Sequence, residues 1–184
     1  MSDLVKKDRW ENPATHRDGW NARTFLLVNY LSSSSKILEI GCGRKIIQDY
    51  LFERGVAYIS TDLNSLSEPD LVLDLEDRPF VSLEHLGHFS VLASGVFEYV
   101  TRINEVFSYF AECADELAVS YHPFEEKKKD ELINRTNLGW MSHLSLHEFL
   151  GMAHGAGWGL ANVSNEEDEY YFHFLNFSKK NLKK

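Results

Sequence analysis

An apolar strand that runs into a glycine turn and then a helix is the feature that most restricts how this chain can fold. The stretch ILEIGCGRKIIQDYL, residues 37–51, has this pattern. A glycine turn after a strand lets the backbone approach a ligand closely and places that ligand near a helix N-terminus. The pattern therefore predicts a nucleotide-like cofactor, and the rest of the sequence has to indicate which one.

Apolar segments that alternate with helical segments indicate the fold class. Five segments are short and apolar on both faces, as buried parallel strands are: 36–40, 57–62, 70–74, 89–94 and 116–121. Helices are predicted over 46–54, over 102–114 and after Ser145. The segments 160–164 and 170–177 are typical of an antiparallel hairpin at a sheet edge. This alternation predicts a doubly wound α/β sheet.

Length and charge restrict the organisation and the partners. With 184 residues the chain is predicted to be one domain over 1–184, with an N-terminal helical cap over 1–30 and a core over 36–177. Trp10, Trp20 and Phe25 are the expected apolar anchors of the cap. The net charge of -9 argues against a nucleic-acid partner, because phosphate binding needs a positive face.

The expected location is cytoplasmic. The chain has two cysteines, Cys42 and Cys113, without the pattern of a disulfide framework, and this suits a reducing compartment. No segment has the apolar length of a signal peptide or of a membrane span, so no membrane partner is expected. The sequence does not indicate an oligomeric state.

Two acidic residues at predicted strand ends narrow the choice of cofactor. Asp62 ends the second strand, where a carboxylate can accept hydrogen bonds from both hydroxyls of a ribose. Asp74 ends the third predicted strand and can receive an adenine amine, while the backbone N–H of Leu75 meets a ring nitrogen. The alternative for Asp62 is a helix cap or a turn residue. Because ligands bind outside the carboxyl ends of such strands, both carboxylates can surround one adenosine.

A nicotinamide-dependent reductase, NAD(P)-dependent, is one alternative. The dinucleotide fingerprint needs a third glycine at position 46, where this chain has Ile46. Such enzymes often also have a tyrosine followed four residues later by lysine, and none of the eight tyrosines here is followed in that way. We therefore favour another adenosine cofactor.

Four motifs, in order, resemble those of class I S-adenosylmethionine-dependent methyltransferases. They are ILEIGCGRK, YISTDL, LDLEDRPF and VLASGVFEYV, and the resemblance spans roughly residues 20 to 177. It implies an α/β fold, a three-layer Rossmann-like sandwich whose mostly parallel seven-stranded sheet has an antiparallel C-terminal hairpin strand. It also implies S-adenosyl-L-methionine as the cofactor and S-adenosyl-L-homocysteine as the product.

The resemblance assigns cofactor roles by matching position. The expected contacts are Glu39, Gly41, Cys42 and Gly43 for the methionine part, Asp62 and Leu63 for the ribose and the adenine edge, Asp74 and Leu75 for the adenine, and the backbone of Ala93 and Ser94 for the amino-acid part. Lys45 departs from the family pattern because it replaces the last glycine of the first motif. Its side chain can face solvent or pair with the cofactor carboxylate.

Methyl transfer from a sulfonium mainly needs orientation and a dry site, and a neutral nucleophile can also need a general base. His122, which follows the fifth strand, is the candidate base. Its alternative is a loop histidine bonded to the backbone. The candidate substrate contacts beyond the strand ends are Glu98, Tyr99, Tyr121, Trp140 and His143. Simple packing or an exposed helical turn is the alternative for most of them.

His143 and His147 have the four-residue spacing of zinc ligands on a helix. Ser145 and Glu148, however, match a capping box, which starts the helix after Ser145 and leaves His143 outside it. No third ligand has suitable spacing, so no metal is predicted.

The expected activity is methyl transfer to a small molecule or biosynthetic intermediate. A protein side chain is the second choice of substrate. A non-catalytic cofactor-binding or partner subunit with the same fold remains an alternative, because of Lys45 and the compact size of the chain.

Overall fold

The computed structural model describes residues 19–126 and 130–177. The helices are α1 (Gly19–Tyr30), α2 (Gln48–Phe52), α3 (Ile103–Cys113), α4 (Glu131–Asn137) and α5 (Leu146–Gly155). The strands are β1 (Lys36–Ile40), β2 (Ala57–Asp62), β3 (Leu71–Val72), β4 (Ser90–Ala93), β5 (Glu116–Tyr121), β6 (Trp158–Glu166) and β7 (Glu169–Asn176). Short 3₁₀ turns occupy Ser65–Ser67, Glu84–Leu86 and Phe97–Tyr99.

One sheet organises the part of the chain that is described. Its seven strands lie in the order β3-β2-β1-β4-β5-β7-β6. Strands β1 to β5 are parallel to one another, whereas β7 is antiparallel to both β5 and β6. The predicted α/β fold, with its antiparallel C-terminal hairpin at the sheet edge, is confirmed.

Helices cover both faces of the sheet because successive strand residues point to opposite sides. On one face, Leu38 of β1 belongs to a core that includes α3 and α5. On the other face, its neighbour Ile37 belongs to a second core with α1 and α2. Both cores are apolar, so the central strands have no polar face, and this explains their continuous apolar sequences.

Four predicted elements are shorter in the structure, among them the helix predicted over 102–114, which covers Ile103–Cys113. The third strand covers Leu71–Val72 and not 70–74, because β3 lies at the sheet edge and pairs only with the last residues of β2. The fourth strand covers Ser90–Ala93 and not 89–94, and the helix predicted at 46–54 is Gln48–Phe52. Asp74 therefore lies two residues beyond its strand.

The described part of the N-terminal cap is α1. Leu27, Val28 and Leu31 are buried in the second core, and the ring of Phe25 meets that of Tyr50 edge-on at 5.3 Å. Trp10 and the side chain of Trp20 lie outside the described residues. None of the helices described here has the length and apolar character that crossing a membrane requires.

The start of α5 confirms the predicted capping box. The Ser145 hydroxyl accepts the Glu148 N–H at 3.3 Å, and the Glu148 carboxylate accepts the Ser145 N–H at 2.8 Å. His143 lies outside the helix, as predicted, while His147 lies in its first turn. Within 19–126 and 130–177, no three His, Cys, Asp or Glu side chains are grouped closely enough to hold a metal ion.

Candidate functional site

The glycine turn after β1 needs its glycines for two reasons. Gly41 has φ 69° and Gly43 has φ 48°, a left-handed backbone that glycine adopts without a steric penalty. A Cβ atom on Gly41 would also lie 2.9 Å from Cγ2 of Val96, in the loop after β4. The turn and the end of β4 therefore approach each other closely at the carboxyl edge of the sheet.

Asp62 joins two of the predicted cofactor segments. Its Oδ2 accepts the Gly43 N–H at 3.0 Å, and its Oδ1 accepts the Asn64 N–H at 2.9 Å. A carboxylate can accept about four hydrogen bonds, so the half-buried group retains capacity for the two hydroxyls of a ribose. Asp62 thus shapes the glycine turn and can also bind a ligand there.

Two predicted cofactor residues point their side chains into the protein. Glu39 is buried and accepts a hydrogen bond from the Tyr58 hydroxyl, and burial raises the pKa of its carboxyl to about 8. Cys42 is also buried, and burial raises the pKa of its thiol to about 12. The side chains of Glu39 and Cys42 are therefore enclosed by protein, and only their backbone atoms can meet a ligand at the turn.

Lys45 has a left-handed backbone, a conformation that a glycine at this position would adopt without strain. Its φ is 55°, in the left-handed region that is costly for a residue with a Cβ atom. Its ammonium group donates a hydrogen bond to the backbone carbonyl of Glu68. The backbone of Glu68 is also left-handed, with φ 48°. The side chain is therefore directed neither simply to solvent nor to a cofactor carboxylate, but links the first turn to the loop after β2.

The predicted adenine-reading residues lie beyond β3. Asp74 is exposed, and its Oδ1 accepts the Glu76 N–H at 2.8 Å, so it stabilises a turn. The side chain of Leu75 is buried, whereas Leu63, after β2, is half-buried. Asp74 and Leu63 are thus accessible at the same edge of the sheet as Asp62.

The end of β4 is covered by α1. Ala93 is fully buried, and the Ser94 hydroxyl accepts hydrogen bonds from Arg23 Nε at 2.9 Å and from the Thr24 hydroxyl at 3.0 Å. The Ser94 side chain is therefore engaged with α1. The role predicted for Ala93 and Ser94 was a backbone role, and these contacts are compatible with it.

Arg23 is a site residue that the sequence did not indicate. Its guanidinium lies over Gly95, within 2.3 Å of the position that a Cβ atom would take there. Its Nη1 forms an ion pair with Glu169 at the start of β7, at 2.9 Å. A single arginine in a helix carries no motif, and only the packing of α1 places this charge over the strand ends.

Glu98 is buried at the ends of β4 and β5. Its Oε1 accepts the backbone N–H of His122 at 3.0 Å, and its carbonyl accepts the N–H groups of Met141 and Ser142 at 2.7 and 3.0 Å. Its Oε2 is enclosed by protein and has no hydrogen-bond partner among the described residues. The alternative that Glu98 lies on an exposed helical turn is therefore wrong, because its side chain is only 2% exposed.

His122 and Trp140 lie side by side above this carboxyl-end edge. Their ring centroids are 5.1 Å apart, and Trp140 Nε1 donates to the Tyr99 hydroxyl at 3.1 Å. Burial, together with the positive charge of Arg135, lowers the pKa of His122 below its usual value. At neutral pH the imidazole is therefore neutral, which is the state a proton acceptor needs.

Tyr121 does not fit its predicted role as a substrate contact. The side chain is fully buried, and its ring stacks on Phe149 at 4.3 Å. Its hydroxyl is 2.7 Å from the Ser142 hydroxyl and accepts the Leu144 N–H at 3.0 Å. We correct the prediction: Tyr121 holds the returning chain against the sheet and has no surface to offer a ligand.

Arg135 anchors the segment 130–144 over the end of β5. The side chain is buried, and it donates to the carbonyls of His122 and Ser142, each at 2.8 Å. Its Nε also donates to Nδ1 of His143 at 3.3 Å, and burial with this nearby charge lowers the pKa of His143. His143 is therefore tied to Arg135, so packing accounts for its position.

A cleft of about 250 Å³ opens beside this segment. Its walls are the residues after β5, the start of α5 and the turn between β6 and β7. Glu125, Glu167 and Asp168 are among its lining residues. None of the residues that line this cleft is among the site residues predicted from the sequence.

Comparison with solved structures finds proteins of similar fold. One chain of a complex between the Haloferax volcanii Trm112 methyltransferase activator and a methyltransferase is similar, with TM-score 0.63, 13% identity, and coverage of 92% of this chain and 96% of that one. A Burkholderia thailandensis 1,6-didemethyltoxoflavin-N1-methyltransferase with bound S-adenosylhomocysteine gives TM-score 0.62 at 11% identity, over 94% and 84% of the two chains. Magnesium protoporphyrin IX methyltransferase from Synechocystis PCC 6803 gives 0.58 at 13% identity, over 94% of each chain.

No family model matches this sequence, and no curated protein matches it. The similarity therefore lies in the fold, and it extends over nearly the whole length of both chains in each comparison. The strand order and the antiparallel last strands agree with it. The chain has the fold of class I S-adenosylmethionine-dependent methyltransferases.

Proposed function

We propose that this chain binds S-adenosyl-L-methionine and transfers the methyl group to a small molecule. The observation that carries the proposal is the hydrogen bond between the Gly43 N–H and Asp62. It joins the glycine turn after β1 to the carboxylate after β2 at one edge of the sheet, 3.0 Å from donor to acceptor. A narrow turn beside a carboxylate with unused acceptor capacity suits an adenosine with a charged tail.

The chain's own residues fit the cofactor part by part. The methionine part would lie against the backbone of Gly41 and Gly43, whose left-handed φ angles favour glycine. Asp62 would accept the ribose hydroxyls, and Leu63 would flank the adenine. Asp74 and the Leu75 backbone would meet the adenine edge, and the backbone of Ala93 and Ser94 would meet the amino-acid end.

Several enzymes of similar structure favour a small acceptor. They are named for 1,6-didemethyltoxoflavin, geranyl diphosphate and magnesium protoporphyrin IX. The net charge of -9 disfavours a nucleic-acid substrate. A protein side chain is the second substrate class. Tyr99, Trp140 and the cleft beside segment 130–144 are the surfaces nearest to the strand ends where an acceptor would bind.

When bound, the sulfonium supplies an electrophilic methyl group with its leaving group already installed. The chain has to orient the acceptor, exclude water and, for a neutral acceptor, receive a proton. Segment 130–144, held by Arg135, covers the ends of β4 and β5 and so limits water there. His122 presents a neutral imidazole at the same place and remains the predicted base.

Calorimetric titration with S-adenosylmethionine and S-adenosylhomocysteine tests the proposal. We expect both to bind the wild-type chain, and we expect Asp62→Ala to weaken both. Glu84 is an exposed carboxylate that precedes β4, at the opposite edge of the sheet. The variant Glu84→Gln is therefore the matched control and should bind both ligands normally. Absence of heat, together with no thermal shift of the wild-type chain, contradicts the proposal.

A non-catalytic partner subunit is the second candidate. The observation that favours it is the similar Haloferax volcanii structure, which is a complex with a methyltransferase activator. Incubation with methyl-labelled S-adenosylmethionine and a metabolite extract separates the two. Label transfer to a small molecule supports the enzyme, whereas cofactor binding without transfer, with or without a co-purified protein, supports the partner subunit.

A further inference from the structure

A buried carboxylate oxygen at the ends of β4 and β5 has no hydrogen-bond partner among residues 19–126 and 130–177. Glu98 reaches this position from the Phe97–Tyr99 turn, and its Oε1 is engaged by the backbone N–H of His122. Its Oε2 is enclosed and receives no hydrogen bond from any described residue. Buried acceptors are nearly always paired, because an unpaired one loses its water without compensation.

Packing alone does not account for this acid. A glutamine or an apolar residue would fill the same volume without the cost of burying an ionisable group. The charges that act on Glu98 are the attractive guanidinium of Arg23 and the repulsive carboxylate of Glu169. Neither donates a hydrogen bond to Oε2, so within the described part of the chain this oxygen lacks a donor.

The position of Glu98 suits contact with a methyl acceptor. Ligands of parallel α/β sheets bind at the carboxyl ends of the strands, and Glu98 bridges two of those ends. Segment 130–144 closes over it, since the Met141 and Ser142 N–H groups donate to the Glu98 carbonyl. An acceptor would therefore reach Oε2 when this segment is displaced, and its return would exclude water.

Resting on the function proposed above, we propose that Glu98, in place of the predicted base His122, binds and deprotonates a methyl acceptor whose nucleophilic nitrogen or oxygen carries a hydrogen. The acceptor N–H or O–H donates to Oε2. The acceptor lone pair forms the new bond to the methyl carbon, and the bond from sulfur to that carbon breaks with its electrons left on sulfur. The proton then passes to Oε2, giving a neutral acid and a neutral thioether.

The negative charge of Glu98 restricts which methyl acceptors can bind. One positive sulfonium and one negative carboxylate are consumed together, so no net charge is created inside a dry site. Anionic acceptors such as carboxylates would meet the charges of Glu98 and Glu169 and would be repelled. The substrate class is therefore a hydroxyl, amide or aromatic N–H compound.

Sinefungin tests the assignment without knowledge of the acceptor. This analogue of S-adenosylhomocysteine has an amine-bearing carbon in place of the sulfur, so its ammonium occupies the position of the transferable methyl group. We expect Glu98→Gln to lower the affinity for sinefungin about tenfold, as the loss of a charge-assisted hydrogen bond does, and to leave the affinity for S-adenosylhomocysteine within about twofold. Glu84→Gln is the matched control.

The wild-type chain supplies a second measurement that does not depend on how the variant folds. If Glu98 faces the amine, the ratio of sinefungin to S-adenosylhomocysteine affinity should rise between pH 5 and 8 as the carboxyl ionises. Equal changes for the two ligands in Glu98→Gln, or a pH-independent ratio, overturn the inference while the proposed function stands. Failure of S-adenosylhomocysteine to bind the wild-type chain overturns the proposed function, and this inference with it.

Discussion

Cγ2 of Val96 lies 2.9 Å from the position that a Cβ atom on Gly41 would take. Two loops that are far apart in the sequence thus meet at a point where only a hydrogen atom fits. Gly41 is therefore required for two reasons: its backbone is left-handed, and the Val96 side chain approaches it closely. A comparison with Gly55 can measure each reason, because Gly55 has a similar φ of 68° and open space around it.

We expect Gly41→Ala to destabilise the protein more than Gly55→Ala. Both changes place a Cβ atom on a left-handed backbone, at a cost of about 1 kcal/mol in the free energy of unfolding. Gly41→Ala adds overpacking against Val96, which typically costs roughly 1–3 kcal/mol more. Urea denaturation measures the difference, and the double variant with Val96→Ala should recover part of the loss. Equal losses for the two alanine variants contradict the close contact.

Lys45 provides the opposite test. Lys45→Gly should raise the free energy of unfolding by about 0.5 kcal/mol net, because glycine removes a left-handed penalty of about 1 kcal/mol while the bond of the lysine is lost. The bond to the Glu68 carbonyl is exposed and contributes about 0.5 kcal/mol at most. Lys45→Ala is the matched control, since it loses the same bond but retains the unfavourable φ, and it should be less stable than wild type. If both variants are equally destabilised, the backbone conformation is not the cause.

The buried carboxyl of Glu39 predicts how stability depends on pH. Its pKa is raised from 4.5 to about 8 by burial, so the folded state holds a proton that the unfolded state releases above pH 4.5. The free energy of unfolding should therefore fall as pH rises from about 4.5 to 8, and this contribution is flat below and above that window. Glu98, raised to about 7, adds a slope of the same sign.

Glu39→Gln should flatten this part of the profile, because glutamine stays neutral at all pH values. Thermal melting at several pH values measures it, with Tyr58→Phe as the companion variant. The Tyr58 hydrogen bond favours the charged carboxylate, so its removal should extend the loss of stability to higher pH. A profile that is unchanged in Glu39→Gln contradicts the burial of an ionisable group at this position.

Arg135 should control the order of segment 130–144. Arg135→Leu leaves the carbonyls of His122 and Ser142 without their buried donor, which costs on the order of 3 kcal/mol or more. We expect faster proteolytic cleavage within the segment and a changed fluorescence of Trp140, whose ring lies 4.7 Å from the guanidinium carbon. Arg54→Leu, an exposed arginine on the opposite face, is the control. Identical cleavage patterns in both variants argue against this role.

Patterns confined to one segment predicted most of the fold. The apolar sequence of 36–40 was sufficient for β1, because a strand buried on both faces needs no partner-specific signal. Ser145 and Glu148 marked the start of α5, since a capping box involves only residues three apart. The third strand was predicted too long because its length depends on how far the neighbouring β2 extends, which its own residues do not encode.

The residues of the candidate site also fall into two groups, those with a local sequence signal and those without one. Gly41, Gly43, Asp62 and Asp74 could be predicted as site residues because they follow strands, a position that the sequence alone indicates. The burial of Tyr121 could not, since its partners Ser142 and Leu144 come from a returning segment. Arg23 carried no local signal either, because its contacts with Ser94 and Glu169 join α1 to β4 and β7.

By itself, then, the sequence determined the alternation of strands and helices, the glycine turn after β1 and the two carboxylates that follow β2 and β3. These depend on local periodicity and on residues a few positions apart. Only the tertiary structure decided where Lys45 binds, that α1 places Arg23 over the strand ends, and that Glu98 is enclosed with one oxygen unpaired. Those outcomes depend on desolvation and on contacts between distant segments, which exist only after the chain has packed.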